Sequence, residues 1–333
     1  AADGPWTLSM EADFAGARVV DRYVTGEDVT IDEAMKALYL VWRIAEVREL
    51  IEWIRAFNAD PARPSKIRFY GFDAQGTASA VRDVRAFLAK VDPRTRLAEA
   101  DVAALAPLEA TDEKAPERYR ALPEAERAAA RAGLAELARR LDARHAEYAT
   151  RTTEAEWAYV RQELVTAEAA EALYLAVPSA RFATRDRAMA DNVRWIAERA
   201  TPASRVFVWA HNGHVVRPEG APTMGTKLRE ALGDRYLAVG MLFDEGSFQT
   251  FDFSSGSFRW KVTTLGPSPE DFGTATLAKV GVPMFVLDVR DRPGSSAVAR
   301  WLSAEHPVRE IGHTYDPAHA SRGCSLSDEM DAV

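Results

Sequence analysis

Arg205-Val-Phe-Val-Trp209-Ala-His211-Asn212-Gly-His214-Val215 decides the reading of this chain. Residues 206–209 are β-branched or aromatic without a polar break, as in a strand covered on both faces. Two histidines follow where the strand runs out. In an open α/β sheet the carboxyl ends of strands form the ligand crevice, so His211 and His214 are candidates for chemistry. Two other runs close the same way: Trp6-Thr-Leu-Ser-Met10 leads into Glu11-Ala-Asp13, and Lys66-Ile-Arg-Phe-Tyr70 into Gly71-Phe-Asp73. As neighbours in one parallel sheet, these strands would bring Glu11, Asp73, His211 and His214 to one edge. Imidazole titrates near neutrality and a carboxylate can orient it, so the set is acid–base equipment. The same four side chains would also suit zinc or manganese.

Each candidate has a plainer reading. Glu11 could be a buried partner of Arg18 or Arg22, and Asp73 a cap for the next helix. Arg43 could be a surface ion pair rather than a clamp for a carboxylate or oxyanion. Asn212 could cap the turn after the strand. His145, His306, His313 and His319 read as surface residues.

The pattern between the strands is helical. Residues 14–23 recur at helical spacing and stop at Gly26, Thr30-Ile-Asp-Glu33 has the form of a capping box, and 34–58 reads as one or two amphipathic helices. Strand, helix and strand make a right-handed βαβ unit. Residues 77–200 are almost wholly helical, with breaks near Pro93, Pro107, Pro123 and Pro178, and are too long for one crossover. Within them, 124–145 alternates in charge and reads equally as a solvated face or as a cap over the site. A helix over 225–233, a strand over 236–243, hairpin strands over 247–253 and 258–264 around a turn at 254–257, a strand over 283–288 and an irregular tail complete the chain. The fold class expected is α/β, with a mostly parallel sheet, an antiparallel edge and a large inserted helical subdomain. Residues 1–76 and 201–333 form the hydrolytic core, and 77–200 a helical insert or cap of the same domain.

Composition narrows the function. The chain has 333 residues, 47% hydrophobic and 28% charged, with a formal net charge of -8. Acidic balance without a basic stripe argues against nucleic acid as a partner. No apolar run reaches bilayer length and no basic-then-apolar leader is visible, which gives the cytoplasm as the expected location and no membrane partner. The single cysteine, Cys324, has no internal disulfide partner.

Taken together, the motifs resemble the erythromycin esterase family. The resemblance rests on Glu11-Ala-Asp13 with Arg22-Tyr-Val24, on the helix carrying Trp42-Arg43, Glu46-Val47 and Leu50-Ile-Glu-Trp-Ile-Arg55 through Asn58, and on Tyr70-Gly-Phe-Asp73. It continues through Arg187-Ala-Met-Ala-Asp-Asn192-Val-Arg-Trp195, Trp209-Ala-His-Asn-Gly-His214, Met224-Gly225 and Gly246-Ser-Phe248, and covers most of the chain up to about residue 250. It implies a carboxylic ester hydrolase that opens a macrolactone, with no metal or cofactor, and a link to macrolide resistance. Glu11 matches the family's strand-end glutamate, and His211 and His214 its paired histidines; these three are the expected catalytic residues. Arg43, Asp73, Tyr70, Trp42 and Asn212 are the expected substrate contacts, with Tyr23, Trp42 and Tyr70 as an aromatic lining for a small-molecule ester, a macrolide among them. The implied division of labour has one histidine donating to the carbonyl oxygen or leaving alcohol, while Glu11 orients a histidine or the water. The family's general base comes from an N-terminal Gly-Glu-x-x-His-Gly motif, which nothing here matches; the expectation is that it lies upstream of residue 1. Two alternatives stay open: a tailoring enzyme of secondary metabolism on the same fold, and a binding protein or degenerate homologue without that base.

Overall fold

The computed structural model describes residues 5–94, 97–200, 204–253, 259–290 and 295–333. The chain divides into two compact units, Ala1–Trp209 and Ala210–Val333. The helical stretch 77–200 thus shares its unit with the sheet, and the division falls just after the strand that precedes the histidines.

In the first unit, β1 (Trp6–Asp13), β2 (Arg68–Asp73) and β3 (Arg205–Trp209) form a parallel sheet in the order β2-β1-β3. The first crossover carries α1 (Arg18–Val24), α2 (Ile31–Lys36), a short 3-10 turn at Leu40–Trp42 and α3 (Ala45–Ala59). Thr30 and Glu33 close the expected capping box at α2. Leu8, Met10 and Ala12 on one face of β1 pack with Val20 and Val24 of α1, Leu38 after α2, and Ile51 and Ile54 of α3. Each fully buried aliphatic side chain there contributes roughly 1.5–3 kcal/mol.

The second crossover holds α4 (Ala78–Val91), α5 (Glu99–Leu105), α6 (Ala115–Ala121), α7 (Glu124–Ala143), α8 (His145–Arg151), α9 (Glu154–Leu175) and α10 (Pro178–Arg199). Proline does mark breaks: Pro123 directly precedes α7 and Pro178 opens α10, where a missing N–H costs nothing. These helices build a core of their own around Val84, Leu105, Leu134, Leu137 and Leu164. The charged run of α7 is the outer face of a helix whose other side is core. Arg127 pairs with Glu124 at 2.8 Å and Arg140 with Glu136 at 2.7 Å.

One irregularity sits where chemistry was expected. Met10 pairs with Gly71 but Asp13 pairs with Asp73, so β1 spends one residue more than β2 over this step. A Cβ on Gly71 would stand 2.4 Å from the carbonyl oxygen of Asp13 and 2.5 Å from that of Ala12. Only glycine lets the bulged strand pass so close. β3 ends at Trp209 opposite Met10, and β1 continues three residues beyond it.

The second unit contains α11 (Asn212–Val215), α12 (Met224–Leu232), an antiparallel pair β4 (Gly246–Asp252) and β5 (Arg259–Leu265), α13 (Gly273–Ala278), α14 (Ala297–Ser303), a second antiparallel pair β6 (His306–Arg309) and β7 (Ser321–Cys324), and α15 (Leu326–Glu329). The α/β class holds, with antiparallel strands forming two separate two-stranded sheets rather than an edge of the parallel one. The turn expected at 254–257 lies outside the described residues. Two expected strands, 236–243 and 283–288, do not form; each makes a single bridge, at Val239 and Asp288, to Ala332. The reason is that, among the described residues, no partner of matching length pairs with them. Residues 331–333 are the backbone these runs bond to, through Gly240 N–H to Ala332 O (2.9 Å) and Leu287 N–H to Val333 O (2.7 Å). Leu237, Val239, Met241, Met284 and Val286 accordingly stay exposed. Cys324 is no loose tail residue: it is buried in β7, and burial pushes its thiol up to about 12. Among the described residues no helix is long and apolar enough to cross a membrane.

Candidate functional site

Strand alternation sends Met10 and Ala12 into the core and leaves Glu11 and Asp13 on the opposite side of β1. Asp73, the last residue of β2, is fully buried. Arg185 of α10 joins two of these carboxylates. Its Nε donates to Asp73 Oδ1 (3.0 Å), and its Nη2 to Asp73 Oδ2 (2.7 Å) and Glu11 Oε1 (2.7 Å). Burial works against the guanidinium charge, but the Asp73 and Glu11 carboxylates outweigh it and hold the group more firmly charged than usual. Asp73 also accepts from Ala74 N–H (2.8 Å) and the Gln75 side-chain amide (2.8 Å). It caps no helix: Thr77 is the N-cap of α4 and makes no side-chain capping bond.

Asp13 is part-buried, with Oδ1 accepting from Gly16 N–H at 2.6 Å. Burial pushes its carboxyl up to about 7; the Gly16 bond opposes this, and the charges of Asp73 and Asp83 add to it. The Tyr39 hydroxyl is buried, with the Gln75 amide beside it and no acceptor for its proton among the described residues. Burial, then the charges of Asp73 and Asp13, hold that phenol well above its ordinary value, so it stays protonated. Trp42 braces the strand from behind, donating its indole N–H to Glu11 O (2.7 Å) and meeting Trp209 edge-on at 5.7 Å.

In the second unit His211 is the N-cap of α11. Gly213 N–H donates to its Nδ1 (3.1 Å), which fixes the proton on Nε2, facing Ile311 O at 3.1 Å. Asn212 pairs its side-chain amide with the Met241 backbone, donating to Met241 O (2.7 Å) and accepting from Met241 N–H (3.0 Å). His214 is buried in α11. Among the described residues no three His, Cys, Asp or Glu side chains are grouped so as to hold a metal ion.

The sequence profile of the erythromycin esterase family matches residues 3–333. The chain belongs to the erythromycin esterase family. Among curated proteins it resembles "Putative hydrolase YbfO" of Bacillus subtilis (strain 168), 29% identical over 97 residues. That match takes in 26% of this chain and spans only about a fifth of the relative, 21%. Three solved structures share the fold. A Bacillus cereus protein superposes with a TM-score of 0.84 at 22% identity, covering 99% of this chain and 80% of that one. A succinoglycan biosynthesis protein gives 0.81 at 21% identity, covering 99% and 79%. A mutant of the erythromycin esterase EreC in its open conformation gives 0.67 at 16%, covering 99% and 82%.

Within this erythromycin esterase fold, the first unit brings Glu11 and Asp73 together through a residue that sequence reading passed over. Arg185 is hidden among the five arginines of α10. Its signal is positional: Arg185, buried Met189 and buried Asn192, which donates to Phe72 O (3.0 Å), follow at i, i+4 and i+7 on the face turned to β2. Glu11 pairs with this arginine, while Arg18 binds Glu156 and Arg22 binds Glu27. Arg43 donates to Leu38 O (2.9 Å) and Lys36 O (2.8 Å), at the end of α2. The three aromatic residues have separate surroundings. Tyr23 lies under Arg55, Trp42 behind Glu11, and Tyr70 beside Tyr159 and Trp195 in a groove that also contains Arg18, Asp83 and Arg199.

Proposed function

We propose that this erythromycin esterase family chain is a hydrolase of hydrophobic carboxylic esters, macrolactones among them. The observation that carries the reading is the Arg185 guanidinium locked onto Glu11 and Asp73 at the carboxyl ends of two parallel strands, where α/β sheets hold their ligands. Clamping fixes the Glu11 carboxylate as an acceptor that orients the attacking water, and preorganisation of this kind is what speeds acyl transfer. The water oxygen adds to the acyl carbon, the acyl–oxygen bond breaks, and the alcohol leaves with a proton. From the sequence motif alone, His211 and His214 are proposed as proton donors in this hydrolysis.

The test is hydrolysis of erythromycin and a panel of hydrophobic esters, read by mass spectrometry, with Glu11→Gln and His211→Ala beside the parent. Products one water heavier, lost in Glu11→Gln, are expected. Silence of a folded parent toward every ester, with ligand still bound, would instead favour a binding protein. One observation favours that second reading: both ring nitrogens of His211 already face backbone groups.

A further inference from the structure

We infer that Asp13 is the proton-donating carboxyl of this site, the group that protonates the departing alkoxide. The inference rests on the ester-hydrolase reading. Glu11, Asp13 and Asp73 lie at the ends of adjacent strands, yet they are held differently. Arg185 grips Glu11 and Asp73. Among the described residues no cation makes a hydrogen bond or ion pair to Asp13, whose Oδ1 is anchored by Gly16 N–H instead. That bond turns Oδ2 toward Gly76. A Cβ placed on Gly76 would meet Asp13 Oδ2 at 3.4 Å and, leaving aside residues 75 and 77, no other described heavy atom within 4 Å, so the half-buried outer oxygen is bordered on this side by a glycine that leaves room beside it. The extra residue of β1 between Met10 and Asp13 gives the strand this last step past β3.

The titratable and charged groups coupled to Asp13 are Asp73 of β2, Asp83 and Arg82 of α4, Glu163 and Tyr174 of α9, and Tyr39 after α2. Burial, the largest effect, favours the neutral form, and the charges of Asp73 and Asp83 add to it against Arg82. Environments that push two carboxyls apart separate an acid from an acceptor. Tyr39 supplies what the acid needs after it reacts: a protonated buried hydroxyl, its oxygen beside the Gln75 amide and its proton without an acceptor among the described residues, that can donate to the newly ionised carboxylate. In the balanced step, water adds to the acyl carbon and gives a proton to Glu11. The acyl–oxygen bond then breaks, and the proton on Asp13 Oδ2 goes to the alkoxide. Solvent returns one proton to Asp13 and takes one from Glu11, so ester and water become acid and alcohol.

The experiment compares two esters of one acid, an alkyl ester and a phenyl ester, in the parent and in Asp13→Asn. Alkoxide needs a proton to leave and phenoxide scarcely does. Asp13→Asn should therefore lose about 10²–10⁴-fold in kcat/KM on the alkyl ester and within about threefold on the phenyl ester. The parent's alkyl-ester rate should fall as pH rises through about 7, and this limb should vanish in Asp13→Asn. Tyr39→Phe keeps the carboxyl and removes the waiting donor, so the limb should move to higher pH. Equal losses on both esters, or a limb unmoved in both variants, would overturn the inference while leaving the hydrolase reading intact. A folded parent that cleaves neither ester would overturn both. Should Asp13→Asn not fold, the direction of the Tyr39→Phe shift decides.

Discussion

Replacing Arg185 by methionine keeps much of the apolar stem and removes the guanidinium. Three hydrogen bonds of 2.7–3.0 Å disappear, and Asp73, fully buried, loses its counter-charge. Charge-assisted bonds are worth about 1.5–3 kcal/mol each but do not add when they share a donor group. Asp73 keeps Ala74 N–H and the Gln75 amide, which limits the damage. Breaking a buried pair from one side costs about 3–5 kcal/mol, and that is the expected loss. In a unit of this size each kcal/mol lowers Tm by about 2–4 °C, which gives a drop of about 6–20 °C. Urea unfolding at neutral pH with an unchanged m-value measures it. The control is Arg185→Met with Asp73→Asn, which removes the stranded charge and should recover at least half of the loss. A single-mutant loss under about 1 kcal/mol, or a double mutant that is no better than the single, would refute the view that the clamp holds this edge together.

Gly71→Ala should cost about 3 kcal/mol or more, because its Cβ would meet two backbone carbonyls inside contact distance, and should abolish ester turnover by displacing Asp13 and Asp73. An unfolding free energy from urea titration within about 0.5 kcal/mol of the parent's would contradict that packing. Glu163 is fully buried, and among the described residues neither oxygen makes a hydrogen bond, the nearest Arg18 nitrogen lying 3.9 Å from Oε1; burial, with Asp83 adding to it and Arg18 opposing, holds its carboxyl well above the usual range. The unfolded chain releases this proton first, so Glu163 makes stability fall as pH rises from the ordinary carboxylate range up to its raised value. Glu163→Gln should flatten the slope of unfolding free energy against pH by up to about 1.4 kcal/mol per unit, and identical slopes in the two proteins would count against it.

Much of the first unit is readable from residues because local signals and tertiary packing agree there. The three strand runs, the capping box at Thr30 and the proline breaks correspond to observed elements, although β3, read as covered on both faces, leaves Phe207 exposed. The second unit is less legible: residues 236–243 and 283–288 have the composition of strands, but composition does not supply a partner. The site divides along the same line. Glu11 and Asp73 are found by their place at strand ends. Arg185 is not, since an arginine in an arginine-rich helix is distinguished only by the face it occupies. Asp13 appears in sequence as half of a carboxylate pair, and only the bulge and the two glycines beside it show how differently it is held from Glu11.

The position of β1 in the sheet also sets a timetable. Of the three described strands of this sheet it is made before the other two and lies between them, with partners about 60 and about 200 residues downstream. Closing the longer loop costs about 1 kcal/mol more in chain entropy than closing the shorter one, so β2 is the earlier partner. At synthesis rates of about 5–20 residues per second, the Trp6–Met10 edge emerges about 10–40 s before β3 can cover it. During that interval an apolar strand edge stands open on a nascent chain, and the yield of folded protein is decided by what that edge meets first.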